Sequence, residues 1–174
     1  MKTLVIVSHP YPDRSNAIKS LENIVQGLPG VTVRNLESLY GDDMTQFDVA
    51  AEQAAYEGVE RVIFMFPIHW FNLTPMLKAY LNAVWSYGWA FGPEGIALKN
   101  KEMLVITTAG ATQFTYSKDG LINSTIDEVL TPMKSSALYV GMTYAEPIAF
   151  YEAMAPSVEK LNKFKQVIHE RLAD

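Results

Sequence analysis

Two rhythms of apolar positions alternate along the chain. Short runs at 4–7, 31–36, 62–66, 103–107 and 138–142 are β-branched or aromatic-rich and bounded by turn residues, which predicts five strands. Between them apolar residues recur at helical spacing. Ile18, Leu21, Val25 and Leu28 form the first such stripe, and Pro29-Gly30 stops it. A second helix is expected from Thr45, with Asp48 as its capping-box partner, through Ala51, Ala54 and Ala55. Thr74 as N-cap and Pro75 at the first helical position open a third, with Met76, Leu77, Tyr80, Leu81, Val84 and Trp85 as its buried stripe. Ile122, Ile126, Val129, Leu130 and Met133 mark a fourth. A fifth follows Pro156 and carries Val158, Leu161, Phe164, Ile168 and Leu172.

Regular strand–helix alternation predicts an α/β protein of three layers, a five-stranded parallel sheet with helices on both faces and right-handed crossovers. The first, third and fourth strands are apolar throughout, as central strands are, whereas Val31-Thr32-Val33-Arg34 alternates like an edge. That suits the strand order 2-1-3-4-5. In such sheets a ligand lies beyond the carboxyl ends of the strands, where the order reverses, so functional residues are expected just after Val7, Phe66 and Thr107. The long connection 87–100, rich in glycine and aromatics, is a candidate lid.

A length of 174 residues, about half of them apolar, suits one domain, and the longest apolar runs fall far short of the roughly 20 residues that span a bilayer. Met1-Lys2 leads directly into the first strand without the pattern of a secretory signal, which predicts a cytoplasmic location. Cysteine is absent, so thiolate nucleophiles, disulfides, zinc-thiolate sites and iron–sulfur clusters are excluded, and no metal site is expected. Redox chemistry, if present, must come from a bound cofactor. The formal charge of −5 is mixed along the chain, with no basic stripe suited to nucleic acid.

Three segments fall where chemistry is expected. Ser8-His9-Pro10 with Ser15-Asn16 leads into the first helix, whose amino end offers main-chain donors to a phosphate; the same residues would serve equally as a cap and a shaped turn. Trp70 and Phe71, on the connection after the third strand, either pack on a flat ligand or close a core beneath the loop. Thr107-Thr108-Ala109-Gly110-Ala111 is a small-residue turn that would let backbone approach a ligand, with Tyr116 on the same edge. Convergence of all three on one cleft is the stronger signal.

On these residues the chain resembles the flavodoxin-like NAD(P)H dehydrogenase (quinone) family, which includes the small ancillary oxidoreductases of bacterial potassium-efflux systems. The matching blocks are Ser8-His9-Pro10 with Ser15-Asn16, then Asp48 with Glu52-Gln53, and Val62 through Phe71. Further blocks are Pro75-Met76-Leu77-Lys78, Gly88-Trp89-Ala90-Phe91-Gly92, Thr107-Thr108-Ala109-Gly110 and Tyr116-Ser117-Lys118-Asp119-Gly120.

The resemblance implies a flavin, FMN in preference to FAD, whose phosphate is held by His9, Ser15, Asn16 and Ala17. Its ring would meet Pro67, Ile68, His69, Trp70 and Phe71, and its far edge Thr108, Ala109, Gly110, Ala111 and Tyr116. It implies hydride transfer from NAD(P)H to a quinone-like acceptor in ping-pong fashion, and a homodimer with Trp89, Phe91 and the run 130–142 as interface material. Peripheral association with a membrane transporter, and azo- or nitro-compound reduction, are its alternative readings. Two departures stand out. Ala109 replaces a glycine of many relatives, and Ile122 stands where some carry a histidine after the tyrosine, leaving Tyr116 as the one candidate catalytic side chain.

Overall fold

The apolar strands assemble as their burial pattern requires. The computed structural model describes residues 1–14 and 16–173. Strands β1 (Thr3–Val7), β2 (Val31–Asn35), β3 (Arg61–Pro67) and β4 (Glu102–Thr108) are joined by parallel pairing in the order β2-β1-β3-β4, and β5 (Thr143–Tyr144) continues that order beyond β4. Successive residues of the central strands feed opposite layers. Leu4, Ile6, Val62 and Phe64 pack under α4 (Pro75–Val84) and α6 (Thr131–Tyr139), while Val5, Val7, Ile63 and Met65 pack against α1 (Asn16–Gln26) and α7 (Val158–Leu172). Thr74 caps α4 by accepting the Leu77 N–H, and all six residues expected in its stripe are buried. No described helix is long and apolar enough to cross a membrane.

Four local expectations are corrected. Residues 138–142 are not a strand: α6 runs to Tyr139, Leu138 and Tyr139 face outward, and Gly141 turns the chain at φ 77°. The fifth strand position is filled instead by two pieces, β5 against Glu102 and Met103 and β6 (Ile148–Phe150) against Ile106 to Thr108. The second predicted helix starts later than Thr45, because Asp48 itself is the N-cap of α3 (Val49–Ala54) and accepts the Ala51 N–H. Before it lies an unpredicted turn of helix, α2 (Leu36–Tyr40), capped by Asn35. Ile122 precedes α5 (Ile126–Val129), whose capping box is Thr125 with Glu128, and Val158 is exposed rather than part of the α7 stripe.

A buried ion pair secures the α3 side. Glu52 is fully buried, takes two hydrogen bonds from the Arg34 guanidinium at 2.7 and 2.6 Å, and accepts a third from the Tyr40 hydroxyl. With each oxygen satisfied, the carboxylate can sit in the core without an uncompensated charge.

Candidate functional site

Loops leaving the carboxyl ends of β1, β3 and β4 meet at the point where the strand order reverses. Register brings Pro67 beside Thr108, and the Ile68 N–H donates to the Thr108 carbonyl at 2.9 Å. Thr107 donates its hydroxyl to the Phe66 carbonyl at 2.7 Å, which locks the two strand ends together. The shelf thus rests on a stiff base.

Beyond Ile68 the chain makes a tight turn in which the Asn72 N–H donates to the His69 carbonyl. Its two central residues, Trp70 at φ 49° and Phe71 at φ 59°, are both left-handed. Bulky residues in that region cost roughly 1–2 kcal/mol each, and asparagine or glycine would ordinarily fill such a turn. Yet Trp70 is 92% exposed and Phe71 45%. The turn therefore spends both conformational strain and solvated apolar surface on presenting two aromatic residues outward, and it does not close a core.

On the β1 side, the His9 Nδ1 accepts the Tyr11 N–H at 2.9 Å, so the neutral ring carries its proton on Nε2 and can donate from there. Burial, then the neighbouring His69, pushes the His9 pKa down to about 4, and burial also lowers that of His69. Their rings stand edge to face with centroids 5.8 Å apart. Asn16 begins α1 and is exposed. The Ala17 side chain is buried in the core, which leaves only its main chain for a ligand. Ser15 lies outside the described residues.

On the β4 side, Ala109 is not at positive φ, which explains why a side chain is tolerated where many relatives have glycine. Its amide is already given to the Phe150 carbonyl at 2.9 Å, and the Ile68 amide is likewise engaged. Neither N–H is left for a ligand. Tyr116 is buried between Phe71 and Tyr151, with ring centroids 6.1 and 5.9 Å away, and burial raises its pKa so that it remains a neutral donor. Gly110 and Ala111 complete the turn, with Ala111 accepting the Glu152 N–H.

Sequence reasoning missed Tyr151 and Tyr11. Tyr151 follows β6, and its place beside Tyr116 depends on the Glu152 and Ala153 amides bonding back to Ala111 and Ala109, a long-range pairing with no local signature. Tyr11 stands 6.3 Å from the His69 ring and carried no signal beyond its loop. The connection 87–100 is no lid over this shelf within the chain. It follows α4 at the opposite, amino-terminal edge of the sheet, where Asn100 donates to the Gly141 carbonyl and the Trp89 ring packs on Tyr56. Gly92 sits there at φ 88°, a conformation that favours glycine over any residue with a side chain. A groove of about 530 Å³ runs along α4 from Asn72 and Leu73, at the end of the aromatic turn, to Trp85 and Phe91, with Pro132 and Tyr139 of the α6 side as its other wall.

A parallel sheet of this order, with three converging loops and an outward aromatic shelf at its switch point, defines a flavodoxin-like protein. The chain belongs to the family described as having a flavodoxin-like fold, which matches residues 1–172. Among relatives, an uncharacterized NAD(P)H oxidoreductase YdeQ of Bacillus subtilis (strain 168) is 36% identical over 161 residues, 92% of this chain and 81% of that protein. The glutathione-regulated potassium-efflux system ancillary protein KefF of Klebsiella aerogenes is 34% identical over 171 residues, 98% of this chain and 94% of that one. The general stress protein 14 of Treponema denticola, solved in complex with FMN, superposes with a TM-score of 0.87 at 33% identity over 99% of this chain and 97% of that one. A structure described as a thermophilic tryptophan halogenase from Streptomycin violaceusniger superposes with a TM-score of 0.92 at 33% identity, covering 98% of each chain.

Proposed function

We propose that this chain is a single flavin-binding domain that acts as an NAD(P)H:quinone oxidoreductase, with FMN as its cofactor and FAD as the alternative. The observation that carries the reading is the outward, left-handed pair Trp70 and Phe71 beside a neutral, Nε2-donating His9 at the switch point. The group fits: a flat heterocycle covers the exposed aromatic surface, and its phosphate meets His9 and the amino end of α1 through Asn16 and Ala17, with Ser15 completing that set. Bound there, a flavin supplies hydride acceptance from NAD(P)H and hydride donation to the quinone. The chain's part is positioning. Trp70 and Phe71 support one ring edge, Thr108 to Ala111 let the backbone come close to the other, and Tyr116 holds a proton at its hydroxyl beside the acceptor. One open face serves the nucleotide and the acceptor in turn, a ping-pong cycle that converts NAD(P)H, a quinone and one proton to NAD(P)+ and a hydroquinone.

The FMN-bound relative and the NAD(P)H oxidoreductase support this reading. Fold alone does not choose between those chemistries and the one named for the halogenase structure, so the choice rests on the site. Purified protein is expected to be yellow, to release FMN on denaturation, and to oxidise NADH or NADPH when given a quinone. Colourless protein that gains no flavin on reconstitution defeats the reading. Acceptor profiling with quinones, azo dyes and nitroaromatics separates the reductase classes.

Likeness to KefF over nearly the whole chain supports a second role, as a subunit docked on a cytoplasmic face of a membrane transporter. Cosedimentation with membranes that contain the transporter tests it. A homodimer fits the groove beside α4 and α6, where Tyr87, Leu138 and Tyr139 are exposed and Trp89 and Phe91 half-buried. Within the run 130–142, Leu130, Met133, Ala137 and Met142 belong to the core, which leaves Leu138 and Tyr139 as its exposed large apolar residues.

A further inference from the structure

We infer that Glu37 is a positioning residue for this site, tying the loop after β1 to the loop after β3 through Ser8 and Thr74; the inference rests on the flavin reading above. Ser8 is fully buried and donates its hydroxyl to Glu37 Oε1 at 2.8 Å. The same Ser8 oxygen lies 2.6 Å from Thr74 Oγ1, which already accepts the Leu77 N–H as the cap of α4. Each hydroxyl has a single hydrogen, so the direction of the chain is determined. Thr74 donates to Ser8, Ser8 donates to Glu37, and the series ends on a carboxylate. The reverse direction would require a proton on Glu37 and would leave the Thr74 hydrogen without an acceptor.

The two hydroxyl members of this chain sit at the shelf. Ser8 immediately precedes His9, and Thr74 closes the turn that presents Trp70 and Phe71. Glu37 therefore orients, from beneath, the Ser8–Thr74 bond that joins the phosphate side to the ring side. Stability does not account for the carboxylate. Burial, helped by the nearby Glu22 carboxylate, raises the Glu37 pKa, with only partial relief from the Ser8 hydroxyl and the amides of His9 and Glu37, and among the described residues Oε2 has no hydrogen-bond partner. The residue lines a cavity of about 340 Å³ together with Pro10, Gly41, Asp42, Met44, Pro75 and Met76, where an apolar pair in place of Ser8 and Glu37 would serve the fold as well. What the carboxylate adds is a terminal acceptor that holds two loops in one geometry.

The test compares Glu37→Leu, Glu37→Gln, Ser8→Ala and the double variant Ser8→Ala/Glu37→Leu in the full chain. Dissociation constants for FMN and for riboflavin, which lacks the phosphate, are read from flavin fluorescence, and the melting temperature of the flavin-free protein is measured alongside. Glu37→Leu should weaken both flavins about tenfold, since both loops loosen, at temperatures where the flavin-free protein is still fully folded, although the one buried hydroxyl hydrogen it leaves unpaired lowers the melting temperature. Glu37→Gln keeps an oxygen acceptor for Ser8 and should stay within about threefold of wild type. The double variant should be within about twofold of the weaker single one, as expected of residues in one chain of bonds. His9→Asn should weaken FMN and spare riboflavin. Wild-type flavin affinity in Glu37→Leu, additive losses in the double variant, or losses that merely follow the melting temperature would overturn the inference while leaving the flavin reading standing. Failure of the wild-type chain to bind either flavin sinks that reading and the inference together.

Discussion

The two ends of α4 carry similar residues to opposite fates. At its carboxyl end Trp85 is buried, donates its indole N–H to the Tyr56 hydroxyl at 3.2 Å and packs edge to face on Phe64. Tyr56 in turn meets Tyr80, and Trp89 lies against it. Every ring there has neighbours, and the polar atoms of Trp85, Tyr56 and Tyr80 bond to one another. At the amino end Trp70 and Phe71 are held in a conformation that bulky side chains avoid, with Trp70 almost wholly in water. One cluster stabilises the fold; the other draws on that stability to keep a surface ready. Strain at the site is affordable because the sheet beneath it and the aromatic cluster behind it are closed and satisfied.

Breaking the buried cluster should have the largest effect. Trp85→Ala is expected to cost about 3–5 kcal/mol of unfolding free energy, measured by urea denaturation, because it opens a cavity under β3 and removes a partner of Tyr56. A loss below 1 kcal/mol would mean that the two ends of α4 differ less than their packing indicates. Trp70→Gly should act with the opposite sign on the fold. Relief of the left-handed tryptophan is expected to raise stability by about 1 kcal/mol while flavin affinity falls about tenfold, a divergence seen by pairing denaturation with fluorescence titration. A variant that loses stability would place that ring among structural residues.

The smallest effect is a pH dependence. The unfolded His9 takes a proton near 6.5, whereas the native ring resists until about 4, so between those values the unfolded chain binds more protons. Stability of the flavin-free protein should therefore decline as pH falls from 6.5 towards 4, with His69 acting in the same direction, and level off below. Partial solvent exposure of the imidazole keeps the change modest. His9→Asn, which retains an acceptor for the Tyr11 amide, should flatten part of the slope in a series of denaturation midpoints. An unchanged slope would assign the decline to other groups.

Much of the frame is readable from apolar spacing. Uniformly apolar central strands, the Thr74-Pro75 start of α4 and the stripe of α1 each follow from local rules that tertiary contacts then reinforce. The run 138–142 misleads because a short apolar segment looks the same as a strand or as the end of a buried helix, and only the exposure of Leu138 and Tyr139 tells them apart. Asp48 was legible as a helix-start residue, but its role as cap rather than capping partner depended on where the chain left the α2 turn.

The candidate site divides in the same way. Its position at the ends of β1, β3 and β4 follows from strand order, and so from the sequence pattern itself. Whether Trp70 and Phe71 face a ligand or a core was open in the sequence, since either arrangement uses the same residue types. The arrival of Tyr151 beside Tyr116, the ordered series from Thr74 through Ser8 to Glu37, and the withdrawal of the loop 87–100 to the far edge rest on residues distant along the chain. Local pattern determines which segments form strands and helices, because burial periodicity is a property of neighbours in sequence. Which way a side chain faces at a loop, and what it touches, is decided only when packing brings separate elements together.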